Sequence, residues 1–245
     1  MAGRTALVRR LHTWPYSVGR VFPHEGGADP AQVIVQSGSG GIITGDLLRQ
    51  RLTAAEGAHA RVLGQGAVSV HRRGARAGAG EHLQMEAATG AWLENLAEPR
   101  VLFDGSDFTQ RTTIDARGGS MIAVESIVAL DGAFSYESEF DIRAEGETVA
   151  RERMRVHAGD LPRGMSAFGL VLFVGGDSSA PPDLDDRWRA WHSEFGSSRV
   201  YGTVSPLPFE AGLSVRVAAV DGRLLRTALA AAIGVLRSEQ DRPTL

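Results

Sequence analysis

A chain built for covalent catalysis would carry a nucleophile beside a base, and here little of that equipment is present. The nearest approach to a nucleophile elbow, G-x-S-x-G, is Gly164-Met165-Ser166-Ala167-Phe168, which lacks the closing glycine. There is no cysteine, so Cys nucleophiles, disulfides, Fe–S clusters and thiolate zinc sites are impossible within the chain. There is no lysine either; all 26 basic residues are Arg. A P-loop and a PLP Schiff base both require Lys, so any nucleotide hydrolysis in the same process belongs to another chain. Gly64-Gln65-Gly66 and Gly78-Ala79-Gly80 begin a dinucleotide fingerprint without completing it. The seven histidines, His12, His24, His59, His71, His82, His157 and His192, form no H-x-H or H-x-x-x-H pair, and no closed metal site is announced.

Two carboxylates stand out by their surroundings. Met121 to Leu130 reads M-I-A-V-E-S-I-V-A-L, apolar on both faces of a strand, with Glu125 as its only charge. A buried, unpaired carboxylate costs several kcal/mol, roughly, even after relaxation. Glu125 is therefore paired with an arginine in the core, protonated, or turned into a polar internal passage. The second is Asp46, in Gly40-Gly41-Ile42-Ile43-Thr44-Gly45-Asp46, where it can bond the turn backbone or serve as a functional carboxylate on the same passage. Val149 to Val156 alternates so that Arg151, Arg153 and Arg155 share one face, either a docking stripe or the solvated outside of a sheet.

The elements that must position these groups are mostly strands. Three segments, starting at Leu52, Leu83 and Thr113, each run as alternating residues, a glycine turn, and alternating residues again. Gly57, Gly90 and Gly119 mark the turns. The near-regular spacing predicts stacked β-hairpins or the coils of a β-helix-like, two-layer structure, with an ordinary antiparallel sandwich as the alternative. Gln32 to Val35 and Phe168 to Val174 add further strands. Two short helices are predicted in the last quarter. Leu184, Trp188, Trp191 and Phe195 mark one face of Asp183 to Phe195, with Asp183, Asp185 and Asp186 in the first turn and Gly196 at its end. Leu225, Leu229, Ile233 and Leu236 mark the other, from about Arg223 to Arg237, behind Asp221 as N-cap.

At 43% hydrophobic residues and a net charge of −3, the 245 residues read as one β-rich domain. The charge balance argues against nucleic acid or an anionic membrane as the main partner. The N-terminal stretch has no signal-peptide apolar region, and the longest apolar run, Phe168 to Val174, is far short of a membrane span, so a cytoplasmic location is expected. A carbohydrate-active β-solenoid would need an aromatic groove, and only 3 Tyr and 4 Trp are available. A generic β-rich binding module is the other alternative.

The order of these blocks resembles the urease accessory protein family UreD, also called UreH. Gly40-Gly41-Ile42-Ile43-Thr44-Gly45-Asp46 is similar to its G-G-[LIV]-x-G-G-D block. Leu63-Gly64-Gln65-Gly66-Ala67 resembles its Gln-containing strand, and Leu93 to Pro99 with Leu102-Phe103 resembles its W-L-P-x-P…LF segment. Glu125 falls on the family's strand glutamate, and Gly212 to Val217, with Arg216, resembles its ending. Thr44 replaces a glycine, Ser69-Val70-His71 replaces Lys-Val-Tyr, and Asp131 to Glu137 lacks the family's Arg. The resemblance implies a β-helix-like stack without catalysis of its own and without a tightly bound cofactor. It implies urease apoprotein, a UreF-like protein and a UreG-like GTPase as partners, with nickel in transit through an internal channel.

Overall fold

The computed structural model describes residues 5–22, 30–72, 78–161, 164–175, 184–197 and 199–237. Strand β1 (Tyr16–Phe22) pairs antiparallel with β2 (Ala31–Ser37) at the edge of the larger sheet. From β2 onward the chain winds in coils. The first contains β2, β3 (Ile42–Ile43) and β4 (Leu47–Ala54). The second contains β5 (His59–Gly64), β6 (Val68–His71) and β7 (Ala79–Ala87). The third contains β8 (Trp92–Leu96), β9 (Arg100–Leu102) and β10 (Ser106–Ala116). The long strand β11 (Ser120–Ala129) then stacks on both β8 and β9, and β12 (Phe134–Ala144) stacks on β10. Equivalent strands of successive coils pair in parallel, which is the arrangement of a β-solenoid.

The glycine turns decide between the two forms the sequence allowed. The turns at Gly57 (φ 64°), Gly90 (φ 67°) and Gly118 (φ 73°) each carry the chain from one sheet to the other, so they are coil corners and not hairpin tips. At the third corner the left-handed residue is Gly118; its neighbour Gly119 fits for another reason, since a Cβ there would lie 2.5 Å from Ala88 O. Antiparallel pairing of consecutive strands, seen in β1 and β2 before the coils, returns after them, where β13 (Glu147–His157) folds back on β12. It closes the five-stranded sheet, in the order β13-β12-β10-β7-β4.

The larger sheet is extended past β11 by β14 (Ala167–Gly175), β15 (Val200–Pro206) and β16 (Gly212–Ala219), in the order β11-β14-β16-β15. Its outer face is covered by α1 (Leu184–Phe195) and α2 (Gly222–Leu236). Asp221 caps α2 as predicted, accepting from Leu224 N–H at 2.8 Å. Gly196 N–H bonds His192 O at 2.8 Å where α1 ends. Asp183 lies outside the described residues. Trp188, Trp191 and Phe195 meet Leu225, Leu229, Ile233 and Leu236 over Ile122, Val124 and Val171. Both helix faces are thus spent on the sheet. No described helix is long and apolar enough to cross a membrane.

Gly202 on β15 is the floor on which Trp191 rests; a Cβ there would sit 2.3 Å from the indole ring. Gly202→Ala is therefore expected to lower stability by about 1–3 kcal/mol through overpacking. A lower melting temperature by circular dichroism would show this, and an unchanged one would mean that the helix layer yields freely. The C-terminal end of α2 is tied down by charge. Glu94 on β8 is fully buried, accepts from Arg237 Nε and Nη2 at 2.8 Å each, and also pairs with Arg61. Burial pushes Glu94 up, but the two guanidiniums outweigh it and hold the carboxyl below its ordinary range.

The Arg stripe is the outside of the smaller sheet. Arg151, Arg153 and Arg155 are exposed and pair with Asp141, Glu139 and Glu137 of β12. Such surface ladders contribute little to stability.

Candidate functional site

Between the two sheets the core is apolar at both ends and polar in the middle. At the corner end lie Met85, Ile114, Ile142, Met121 and Leu172. At the opposite end lie Ile42, Leu102, Phe108, Ile127 and Tyr136. The register of the smaller sheet places Glu81, Gln110 and Ser138 side by side on β7, β10 and β12, between those ends. The next inward row carries Gln50 on β4 and Thr112 on β10. Glu125 on β11 meets this belt from the other sheet, between Ala123 of one apolar cluster and Ile127 of the other.

The belt is one connected hydrogen-bond network. Tyr16 OH donates to Glu81 Oε1 at 2.9 Å, and Gln50 Nε2 donates to the same oxygen at 2.9 Å. Arg100 Nη2 and Nε donate to Glu81 Oε2 at 2.7 and 3.1 Å. Gln110 Nε2 donates to Glu81 Oε2 at 3.3 Å, which turns its carbonyl oxygen toward Tyr136, whose hydroxyl donates to it at 2.8 Å. Thr112 Oγ1 and Ser138 Oγ donate to Glu125 at 2.7 and 2.6 Å.

Two buried carboxylates thus sit in one belt with opposite electrostatics. Burial raises Glu81, but the Arg100 guanidinium, with the hydrogen bonds of Tyr16 and Gln50, outweighs it and holds the carboxyl below its ordinary range. Among the described residues Glu125 has no arginine partner. Burial pushes its carboxyl up to about 7, the Ser138, Thr112 and Tyr136 hydroxyls pull it back, and the Glu81 charge adds to the rise. Tyr136 OH also lies 3.2 Å from Glu125 Oε2 and can give its one proton either there or to the Gln110 carbonyl oxygen.

A cavity of about 410 Å³ opens onto this belt. Tyr16, Gln50, Glu81, Arg100, Gln110, Thr112 and Glu125 line its interior, and Gly40, Gly41, Gln65 and Glu98 also line it. A Cβ on Gly41 would lie 2.7 Å from Ser69 O, so the chain can pass here only as glycine. On the far side of the sandwich, Arg216 of β16 pairs with Glu152 of β13 at 2.6 Å and ties the two sheets together beside a second cavity.

The other residues singled out from sequence fall elsewhere. Asp46 accepts from Ile43 N–H at 2.9 Å and closes the turn that Gly45 (φ 92°) begins; it is not among the residues lining the cavity. Its backbone role follows from the short Gly-Asp turn, whose free amide it satisfies. Pro99 accepts from Val68 N–H through its carbonyl, and Phe103 packs on His71 with ring centroids 4.2 Å apart. Sequence reasoning missed Glu81, Arg100, Tyr16, Gln50 and Gln110. A signal for Glu81 was present: the inward row of Ala79 to Ala87 reads Ala, Glu, Leu, Met, Ala, with one charge in an apolar series. Among the described residues no three His, Asp or Glu side chains converge as a metal-holding cluster.

The comparisons with known proteins agree with this architecture. The family described as UreD urease accessory protein matches residues 1–245. A urease accessory protein UreD from Mycolicibacterium smegmatis is 32% identical over 237 residues, covering 92% of this chain and 83% of its own. A urease accessory protein UreD 2 from Bradyrhizobium sp. strain BTAi1 is 33% identical over 251 residues, covering 96% of this chain and 85% of its own. A UreD from Natronomonas pharaonis is 27% identical, covering 87% and 75%. With a family match along its full length and relatives above 30% identity over most of both chains, this chain belongs to the UreD urease accessory protein family.

Proposed function

We propose that this protein is a non-catalytic scaffold of urease maturation whose polar interior passes nickel toward urease apoprotein. The observation that carries the reading is Glu125: a carboxyl group buried in a polar belt, open to a cavity, held by hydroxyls and not by a cation. A group of that kind can exchange its proton for a passing divalent ion and take the proton back. Oxygen ligands and waters suit a hydrated nickel ion that must be released again, where a closed imidazole or thiolate site would retain it. Glu81 and Arg100 keep the neighbouring wall polar while remaining satisfied by one another.

In this reading the chain works in the cytoplasm with urease apoprotein, a UreF-like protein and a UreG-like protein. The missing lysine and P-loop fit a division of labour in which the GTPase is a separate chain. Mixing the purified protein with those three chains and following gel filtration with light scattering tests the assembly. Co-elution with at least the UreF-like chain is expected. Elution of this protein alone from every mixture would contradict the reading.

A further inference from the structure

Among the described residues nine large apolar side chains are exposed, and five of them, Leu7, Val8, Leu11, Trp14 and Phe22, belong to a single segment. Val8, Leu11 and Trp14 are 93%, 81% and 77% exposed. The same segment, Thr5 to Phe22, carries Arg9, Arg10, Arg20 and His12 and no acidic residue, in a chain whose net charge is −3. None of its arginines has a described carboxylate partner; Arg10 Nη1 instead donates to Val18 O at 3.2 Å. The segment is thus both apolar and uniformly basic, a combination that marks an interaction surface.

Its position matters more than its composition. Trp14 packs on Gly38, where a Cβ would meet the indole at 3.0 Å, and Gly38 N–H bonds Pro15 O at 2.8 Å. Two residues further on, Tyr16 enters the polar belt and donates to Glu81. Ser37, Ser39, Gly40 and Gly41, on either side of Gly38, line the cavity. One end of the arm, Trp14 to Tyr16, therefore borders the cavity, while at its other end Thr5 Oγ1 accepts from His59 N–H at the start of β5. Strand addition to β1 is obstructed, because its register breaks between Val18 and Val21 and Arg10 occupies the Val18 carbonyl. Recognition here must come from side chains.

We propose that the N-terminal arm, through Leu7, Val8, Leu11, Trp14 and Phe22 flanked by Arg9 and Arg10, docks a partner protein whose matching surface is apolar and rimmed with Asp and Glu. The docked partner lies along β1, with one end beside the cavity. The inference rests on the proposed role in urease maturation, since a route for a cation must join the chain that supplies or receives it. An extended arm suits a protein groove; surface binding to lipid uses an amphipathic helix, which this segment is not.

The test uses the full chain co-expressed with urease apoprotein and the accessory chains, comparing wild type with Val8→Asp/Leu11→Asp and with Arg9→Glu. Both sites are exposed, so unchanged melting temperatures are expected. The apolar double variant is expected to lose one partner by more than about tenfold while keeping the others, the loss expected when a central apolar anchor is removed. Arg9→Glu is expected to weaken the same partner and to flatten the salt dependence of its binding. Wild-type affinity for every partner in the double variant would overturn the docking site alone. A wild-type chain that binds no partner would instead overturn the maturation role. Arm-dependent binding to phosphatidylglycerol vesicles, with all protein partners retained, would overturn the inference in favour of a membrane. A wild-type dimer that the double variant splits, with partners retained, would overturn it in favour of a second copy.

Discussion

Glu125→Gln is expected to leave the fold standing and to cut nickel delivery to urease by roughly tenfold or more, since losing even a supporting group of a metal ligand costs about 10–100-fold in affinity. Glutamine is isosteric with the protonated acid, and Thr112 and Ser138 can still donate to its carbonyl oxygen. What it cannot do is give up a proton and become an anion for a passing cation. A structural role alone would produce the reverse pattern: lower thermal stability, with delivery falling only in proportion to soluble protein. The titration supplies an independent check. The folded carboxyl titrates near 7 and the ordinary value is 4.5, so between those pH values the native state holds a proton that the unfolded chain has shed. The wild type therefore loses stability as pH rises from about 4.5 to 7, by roughly 3 kcal/mol in all, and is level above that. Glu81 and Glu94, both depressed, act in the opposite direction: their contribution is present above the ordinary carboxylate value and is lost as pH falls through and below it. The useful quantity is thus the difference between wild type and Glu125→Gln, in which those terms cancel. Wild type should gain on the variant as pH falls from 7.5 to 5, measured by urea unfolding. A pH-independent difference would mean that Glu125 is already ionised in the native protein.

Arg100→Ala is expected to be among the most damaging single substitutions in the chain, at about 3–5 kcal/mol. Arg100 and Glu81 are 7% and 3% exposed, and the guanidinium makes two hydrogen bonds to one carboxylate oxygen. Removing it strands an anion between two sheets, next to Glu125, whose own charge Glu81 already opposes. The substitution also frees the Glu98 carbonyl that Arg100 Nη1 holds at 2.9 Å. Replacing both partners, as Glu81→Met/Arg100→Met, removes the stranded charge and should recover most of the stability, because a buried ion pair and a packed apolar pair are close in free energy. Urea denaturation of the two variants checks this directly. If the single variant loses less than about 1 kcal/mol, solvent reaches Glu81 and the belt is wetter than its burial indicates.

Much of this was legible in the sequence, and what was not has identifiable causes. Both helices follow from their apolar spacing, and Asp221 and Gly196 mark their ends. The strand predicted from Met121 to Leu130 is observed as Ser120–Ala129 and is buried on both faces from Met121 to Ile127 as its composition requires, whereas Leu130 lies past its end and is exposed. The ambiguity between hairpins and coils could not be resolved locally. An alternating segment, a glycine and another alternating segment serve either, and only parallel pairing between residues some thirty positions apart, such as His59 with Trp92, selects the coil. The core Glu–Arg pair expected as one resolution for Glu125 does exist, but between Glu81 and Arg100. Their partnership joins a residue of β7 to one of β9, 19 positions away, and nothing in either local pattern announces it. Asp46 was ambiguous for the opposite reason: its neighbourhood is informative only about the turn, and the turn is where its carboxylate is used. The family blocks at Gly40, Gly41 and Gln65 have a common location that spacing alone hides, since all three line the cavity.

The nickel content of urease purified from cells expressing its other accessory chains, with and without this protein, tests the central claim most directly. Urease that is loaded in the presence of the wild-type chain, and largely metal-free both without it and with Glu125→Gln, is the predicted result. Equal nickel in all three preparations would contradict both the maturation role and the passage through the polar belt.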